Sequence, residues 1–113
     1  MRKTDKKMDN QLRLVLIDVC ETALKEIAGF QWLTHLVNYS HFPKSLKVVC
    51  IFDTNDNLSD FMSNGSRKCL EASIQLKLND ISVNVKNVSD HIAYDTEQNC
   101  EYQHNGNWAK RLS

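Results

Sequence analysis

A chain of 113 residues, 42% hydrophobic and 25% charged with only three Gly and one Pro, suits a single domain, 1–113, large enough for its own core; disordered and fibrous classes are excluded. Its 14 basic and 14 acidic residues cancel, which excludes the global positive field of many nucleic-acid binders. The balance is local, however. Residues 1–13 hold Arg2, Lys3, Lys6, Lys7 and Arg13 against Asp5 and Asp9, a net of +3, and the remainder carries −3.

Thr4 is placed to cap a helix with Asp5 in its first turn, the sign a helix N-terminus favours. Met8, Leu12, Val15, Leu16, Val19, Ala23 and Ile27 then recur with a 3.6 period, so a helix is expected over 5–28, with Gly29 as its left-handed C-terminal residue. Asp18, Glu21, Thr22 and Lys25 form the solvated stripe. Leu14 falls on that polar side. A single exposed Leu is ordinary, and the sharper reading makes Leu14 and Ile17 a contact for another chain, such as a second copy in a homodimer.

Phe30–Val37 alternates Phe30, Trp32, Thr34 and Leu36 against Leu33, His35 and Val37, which reads as a strand. A loop containing Pro43 returns the chain to 45–53. There Val48, Val49, Cys50, Ile51 and Phe52 are consecutively apolar, the pattern of a strand covered on both faces at the centre of a sheet. Antiparallel pairing of 30–37 with 45–53 is the economical arrangement. Asn55-Asp56-Asn57 offers caps for a weak helix near Leu58, interrupted by Asn64-Gly65-Ser66. A helix over 67–79 follows on Leu70, Ile74 and Leu78, with Lys68, Glu71, Gln75 and Lys77 outside. Val83 and Val85 read as a short edge strand and His91–Asp95 as another. Thr96 can cap a helix through Cys100 to His104, although Cys100–Tyr102 could equally begin a strand; Asn105-Gly106-Asn107 turns, and Trp108 and Leu112 pack the tail back.

Ile51-Phe52-Asp53-Thr54-Asn55 echoes Ala93-Tyr94-Asp95-Thr96-Glu97. If both segments are strands of one sheet running the same way, Asp53 and Asp95 emerge at its carboxyl edge, where ligands of open α/β sheets sit. Two carboxylates there suit Mg²⁺, which takes one or two carboxylates plus waters and substrate phosphates, with Asp56 and Glu97 nearby. The plain role of each Asp-Thr is to cap the helix or turn that follows. His91, Cys100 and His104 are a further candidate ligand set, because Cys100 and His104 share a helix face at i, i+4, but they lack the tight, paired spacing and fourth ligand of a structural zinc site. Three isolated Gly, at 29, 65 and 106, allow no P-loop, dinucleotide fingerprint or nucleophile elbow.

Lys3, Lys6, Lys7 and Arg13 lie near one helical face and form the candidate nucleic-acid contact, with Lys110 and Arg111 adding charge at the other end. The plain alternative is a solvated, frayed first turn. Cys20, Cys50, Cys69 and Cys100 include no C-x-x-C pair, and Cys20 and Cys50 sit in apolar runs as small hydrophobes. The longest apolar run is five residues and the N-terminal stretch has no signal-peptide h-region, so a reduced, cytoplasmic protein with no membrane role is expected.

Met1-Arg-Lys-Thr-Asp-Lys-Lys, Trp32-Leu-Thr-His-Leu-Val-Asn-Tyr39, Phe42-Pro43 and Val49-Cys-Ile-Phe-Asp-Thr54 together resemble a small, uncharacterised family of bacterial proteins sometimes labelled Fis-like transcriptional regulators. The resemblance covers most of the chain and implies a bacterial cytoplasmic protein. The label implies a helix-turn-helix whose second helix enters the major groove, and the only turn available for it is Asn64-Gly65-Ser66.

The expected architecture is α+β: a two-layer fold with a three- or four-stranded antiparallel or mixed sheet, carrying helices 5–28 and 67–79. The expected function is a small non-enzymatic binding or regulatory module, without a cofactor, whose partner is a protein or nucleic acid. The alternative is a metal-assisted phosphoester enzyme using Asp53, Asp95 and Mg²⁺.

Overall fold

The structure, a computed structural model, describes residues 2–113 and is α+β. The N-terminal helix, α1, runs Lys3–Glu26 and buries Leu12, Leu16, Val19 and Ala23, the stripe its 3.6 period predicts. It begins and ends two residues earlier than 5–28. Its N-cap is Arg2, with Thr4 inside the first turn, and its C-cap is the extended Ile27. Gly29 is left-handed, φ 84°, as expected, but it serves the turn into the next strand. A Cβ there would come within 2.6 Å of the Asn57 side chain and 2.8 Å of the Asp53 carboxylate, so only glycine fits.

Strand β1 spans Phe30–Leu36 and β2 spans Lys47–Phe52, antiparallel as predicted, with a cis Phe42–Pro43 bond in the loop between them. A bulge at Gln31 corrects the alternation. Phe30 pairs with Phe52 and Trp32 with Ile51, so Phe30 faces the helices while Trp32, Thr34 and Leu36 face away. The third strand, β3, is Ile92–Thr96 and pairs with β2 in parallel, Val48 opposite Ile92 through Phe52 opposite Thr96. The sheet is three-stranded and mixed, in order β1-β2-β3. The apolar run therefore lies at its centre, with Val48, Val49, Cys50, Ile51 and Phe52 all buried.

Two helices cross from β2 to β3. Helix α2, Asn55–Ser63, is capped by the Thr54 hydroxyl rather than by Asn55-Asp56-Asn57. A left-handed Gly65 leads into α3, Ser66–Asp80, which packs on α1. Val83–Val85 is not a strand. Ser82 turns left-handed at φ 62°, its N–H bonds the Asn79 carbonyl and the Val83 N–H bonds Leu78, which ends α3 in a Schellman motif with Val83 and Leu78 both in the core. After β3, α4 (Glu97–His104) is capped by Thr96 as expected. A turn through Asn105 and Gly106 then leads to α5, Trp108–Leu112, which returns so that Trp108 meets Trp32 edge-on at 5.0 Å.

The main core lies between the inner sheet face and α1, α2 and α3, and the tail folds back toward the outer face at the carboxyl edge. Among the described residues, no helix is long and apolar enough to cross a membrane. All four cysteines are free.

Candidate functional site

The parallel strands β2 and β3 deliver Asp53-Thr54 and Asp95-Thr96 to the same edge of the sheet, so the sequence echo is a repeated local structure. Each Asp takes the backbone N–H of its own Thr on Oδ1, at 2.6 Å for Asp53 and 2.8 Å for Asp95. Each Thr hydroxyl then accepts the N–H three residues on, from Asn57 and from Asn99.

The two exits are also tied together. The Thr96 hydroxyl donates to Asn55 Oδ1 at 2.7 Å, and Asn55 Nδ2 donates to Asn99 Oδ1 at 2.8 Å. The Asn55 N–H reaches Gln98 Oε1, and the Gln98 N–H reaches the Asp53 carbonyl.

The remaining carboxylate valence differs between the two. Asp53 Oδ1 also accepts Asn57 Nδ2 at 2.9 Å, and that bond, joined by the bonds from Thr54, holds its carboxyl below the usual range. Asp95 is gripped by Arg111, Nε to Oδ2 at 2.5 Å and Nη2 to Oδ1 at 3.0 Å, a two-pronged pair at a mostly buried position that raises the Arg111 pKa. Arg111 therefore does not belong to a free basic terminus. Both Asp95 oxygens thus already accept from Arg111, so a cation at Asp95 would compete with this guanidinium. Among the described residues, no three His, Cys, Asp or Glu side chains gather in a metal-holding group.

The structure likewise separates His91 from Cys100 and His104. His91 precedes β3 and its Nδ1 bonds the Leu46 carbonyl at 2.7 Å; the other two lie on α4, beyond the opposite end of that strand. Cys100 is fully buried, and burial pushes its thiol up; burial likewise pushes Cys50 up to about 12, so neither is a nucleophile at neutral pH.

Lys3, Lys6, Lys7 and Arg13 are all exposed on α1, and none has an ion-pair partner among the described residues. Arg13 donates only to Asn10, at 2.9 Å. Asp9, which lies between Lys7 and Arg13 along the helix, is engaged elsewhere. Its Oδ1 accepts from His35 Nε2 at 2.8 Å and from the Tyr39 hydroxyl at 2.7 Å, bonds that lower its pKa, while burial and the same carboxylate raise that of Tyr39. Further along α1, Leu14, Ile17 and Leu24 are 65%, 45% and 51% exposed. The sequence singled out Leu14 and Ile17. Leu24 was missed, although it lies seven residues from Ile17 and hence on the same side.

Two other features escaped the sequence. Glu71, expected outside, is buried; burial opposes its charge, but bonds from Ser89, from the Tyr94 hydroxyl at 2.8 Å and from Arg67 at 3.1 Å outweigh that and lower its pKa. An open cleft of about 810 Å³ lies at the opposite end of the sheet, lined by Pro43, Lys44, Val85, Lys86, Asp90 and His91. It mixes both signs of charge and no sequence pattern marks it.

The α2–Gly65–α3 corner has the outline of a helix-turn-helix but turns its residues inward. Phe61 packs against Phe52 at 4.8 Å and Tyr94 at 5.5 Å, and α3 buries Leu70, Glu71, Ile74 and Leu78. The stripe that α3 leaves exposed, Lys68, Ala72, Leu76 and Asn79, carries one cation, too little to follow a phosphate backbone. Compared with protein-family models, with curated proteins and with solved structures, the chain matches none.

Proposed function

We propose that the protein is a non-enzymatic binding or regulatory module whose working surface is the outward side of α1. One observation carries the reading: Leu14, Ile17 and Leu24 stand in solvent on a helix whose opposite stripe already supplies the core. A protein partner is the occupant that uses them, and self-association through this helix belongs to the same reading. The metal-assisted alternative has less support, because Asp95 is held by Arg111 and Asp53 by Asn57 and Thr54.

The test is a Mg²⁺ titration of ¹⁵N-labelled protein beside an assay on bis(4-nitrophenyl) phosphate. Unmoved amides at Asp53 and Asp95 and no hydrolysis are expected. Mg²⁺-dependent hydrolysis that Asp53→Asn abolishes would overturn the reading.

A nucleic-acid partner is the second reading, supported by the four α1 cations that lack carboxylate partners. If all four meet phosphates, the slope of log K against log salt is about −4, a fall of roughly a hundredfold between about 50 and 200 mM salt. Anisotropy of a labelled random-sequence duplex reads this directly, and Lys6→Ala reduces the slope by about one unit. No binding at the lower salt removes the nucleic-acid reading and leaves the protein partner.

A further inference from the structure

We infer that the occupant of the outward side of α1 is a second copy of the same helix, packed antiparallel about a two-fold axis at Ile17. This rests on the binding-module reading above and names the partner of that surface. Successive residues on a helix advance by about 100°, so Lys3, Asn10, Ile17 and Leu24, each seven apart, form one stripe, with Leu14 and Glu21 beside it. The stripe lies across the helix from buried Leu12, Leu16, Val19 and Ala23, so two copies joined there keep their sheets on opposite sides of the helix pair.

Charge fixes the direction. The exposed N-terminal half of α1 is basic, with Lys3, Lys6, Lys7 and Arg13, whereas its second half exposes Glu21 and Glu26 beside one cation, Lys25; none of these seven has an ion-pair partner within its own chain among the described residues. Asp18, by contrast, turns toward α3 and meets Lys77 at 3.5 Å.

A parallel pairing would set each lysine against its own copy, where like charges repel. In the antiparallel pairing with Ile17 on the axis, Arg13 of one copy faces Glu21 of the other, and the symmetry repeats that pair on the far side of the axis. Leu14 meets Cys20, and Leu24 covers Asn10. Opposite charges then flank an apolar centre, which sets register as well as partner.

The experiment is sedimentation of the full chain over a concentration series from about 5 µM to about 1 mM. A rise in mass from 13.0 kDa toward twice that value is expected. Ile17→Lys, at a half-exposed position outside the core, should weaken association at least tenfold, with a melting temperature that matches wild type at dilutions where both are single copies. Arg13→Glu and Glu21→Arg should each weaken it, and the double exchange should restore it, because the two sites meet only across the axis. A wild-type chain that stays at the single-copy mass throughout overturns the proposal, as does a double exchange no tighter than either single change. Failure here is distinct from failure of the binding-module reading, which falls only to Mg²⁺-dependent phosphoester hydrolysis.

Discussion

Glu71 occupies a helical position whose neighbours Lys68 and Gln75 point outward, yet its carboxylate sits inside, on hydrogen bonds from Ser89, Tyr94 and Arg67. Two of those donors come from β3 and the turn before it, 18 and 23 residues further along the chain, so no local periodicity could reveal them. The same holds for Asp95, whose partner Arg111 arrives with the returning tail. The buried carboxylate makes a pH-dependent contribution. Its pKa is lower in the folded chain than the ordinary 4.5, so its stabilisation is full above that value and is lost as pH falls through the lower folded value. Glu71→Gln should therefore cost roughly 1–3 kcal/mol near neutral pH. In urea melts, the gap between variant and wild type should narrow on acidification; a gap of equal size at pH 7 and pH 3 would contradict the role assigned to its charge.

Among the elements, α1 and β2 are the ones most legible from sequence, because each states its surroundings in its own period: a single buried stripe for α1, continuous burial for β2. The Asp-Thr echo was also legible, since the strand end, the carboxylate turn and the hydroxyl cap are all encoded within five residues. Val83 and Val85 misled for a physical reason. Alternation over so short a stretch is also what a Schellman motif leaves behind, because the residue after the left-handed position must return to the core. The left-handed position is held by Ser82, where a Cβ is unfavourable and most chains place glycine. Ser82→Gly should stabilise the protein by about 0.5–1 kcal/mol and raise the melting temperature by roughly 2–5 °C. A lower melting temperature would mean that the serine makes a contact worth more than its strain.

Across the whole molecule, the central position of β2 decides everything else, because among the described residues it is the only strand with a neighbour on each side. Val49 is 4% exposed on the face that looks away from the main core, so Val49→Asp would bury an unpaired charge at a cost of roughly 4 kcal/mol or more. Loss of the cooperative melt in circular dichroism is the expected result, and a wild-type transition would refute it. The two sides of β2 are built very differently. On one side β1 arrives through a short antiparallel return; on the other, Val48 pairs with Ile92 across a long connection that contains both crossing helices. Loop-closure entropy then makes the parallel seam the late event in folding. Until it zips, the most hydrophobic segment of the chain presents a bare row of amides and carbonyls, the condition under which newly made copies stick to one another. Variants that loosen the turn before β3 should for that reason show up first as poor recovery from the cell, ahead of any fault in the finished protein.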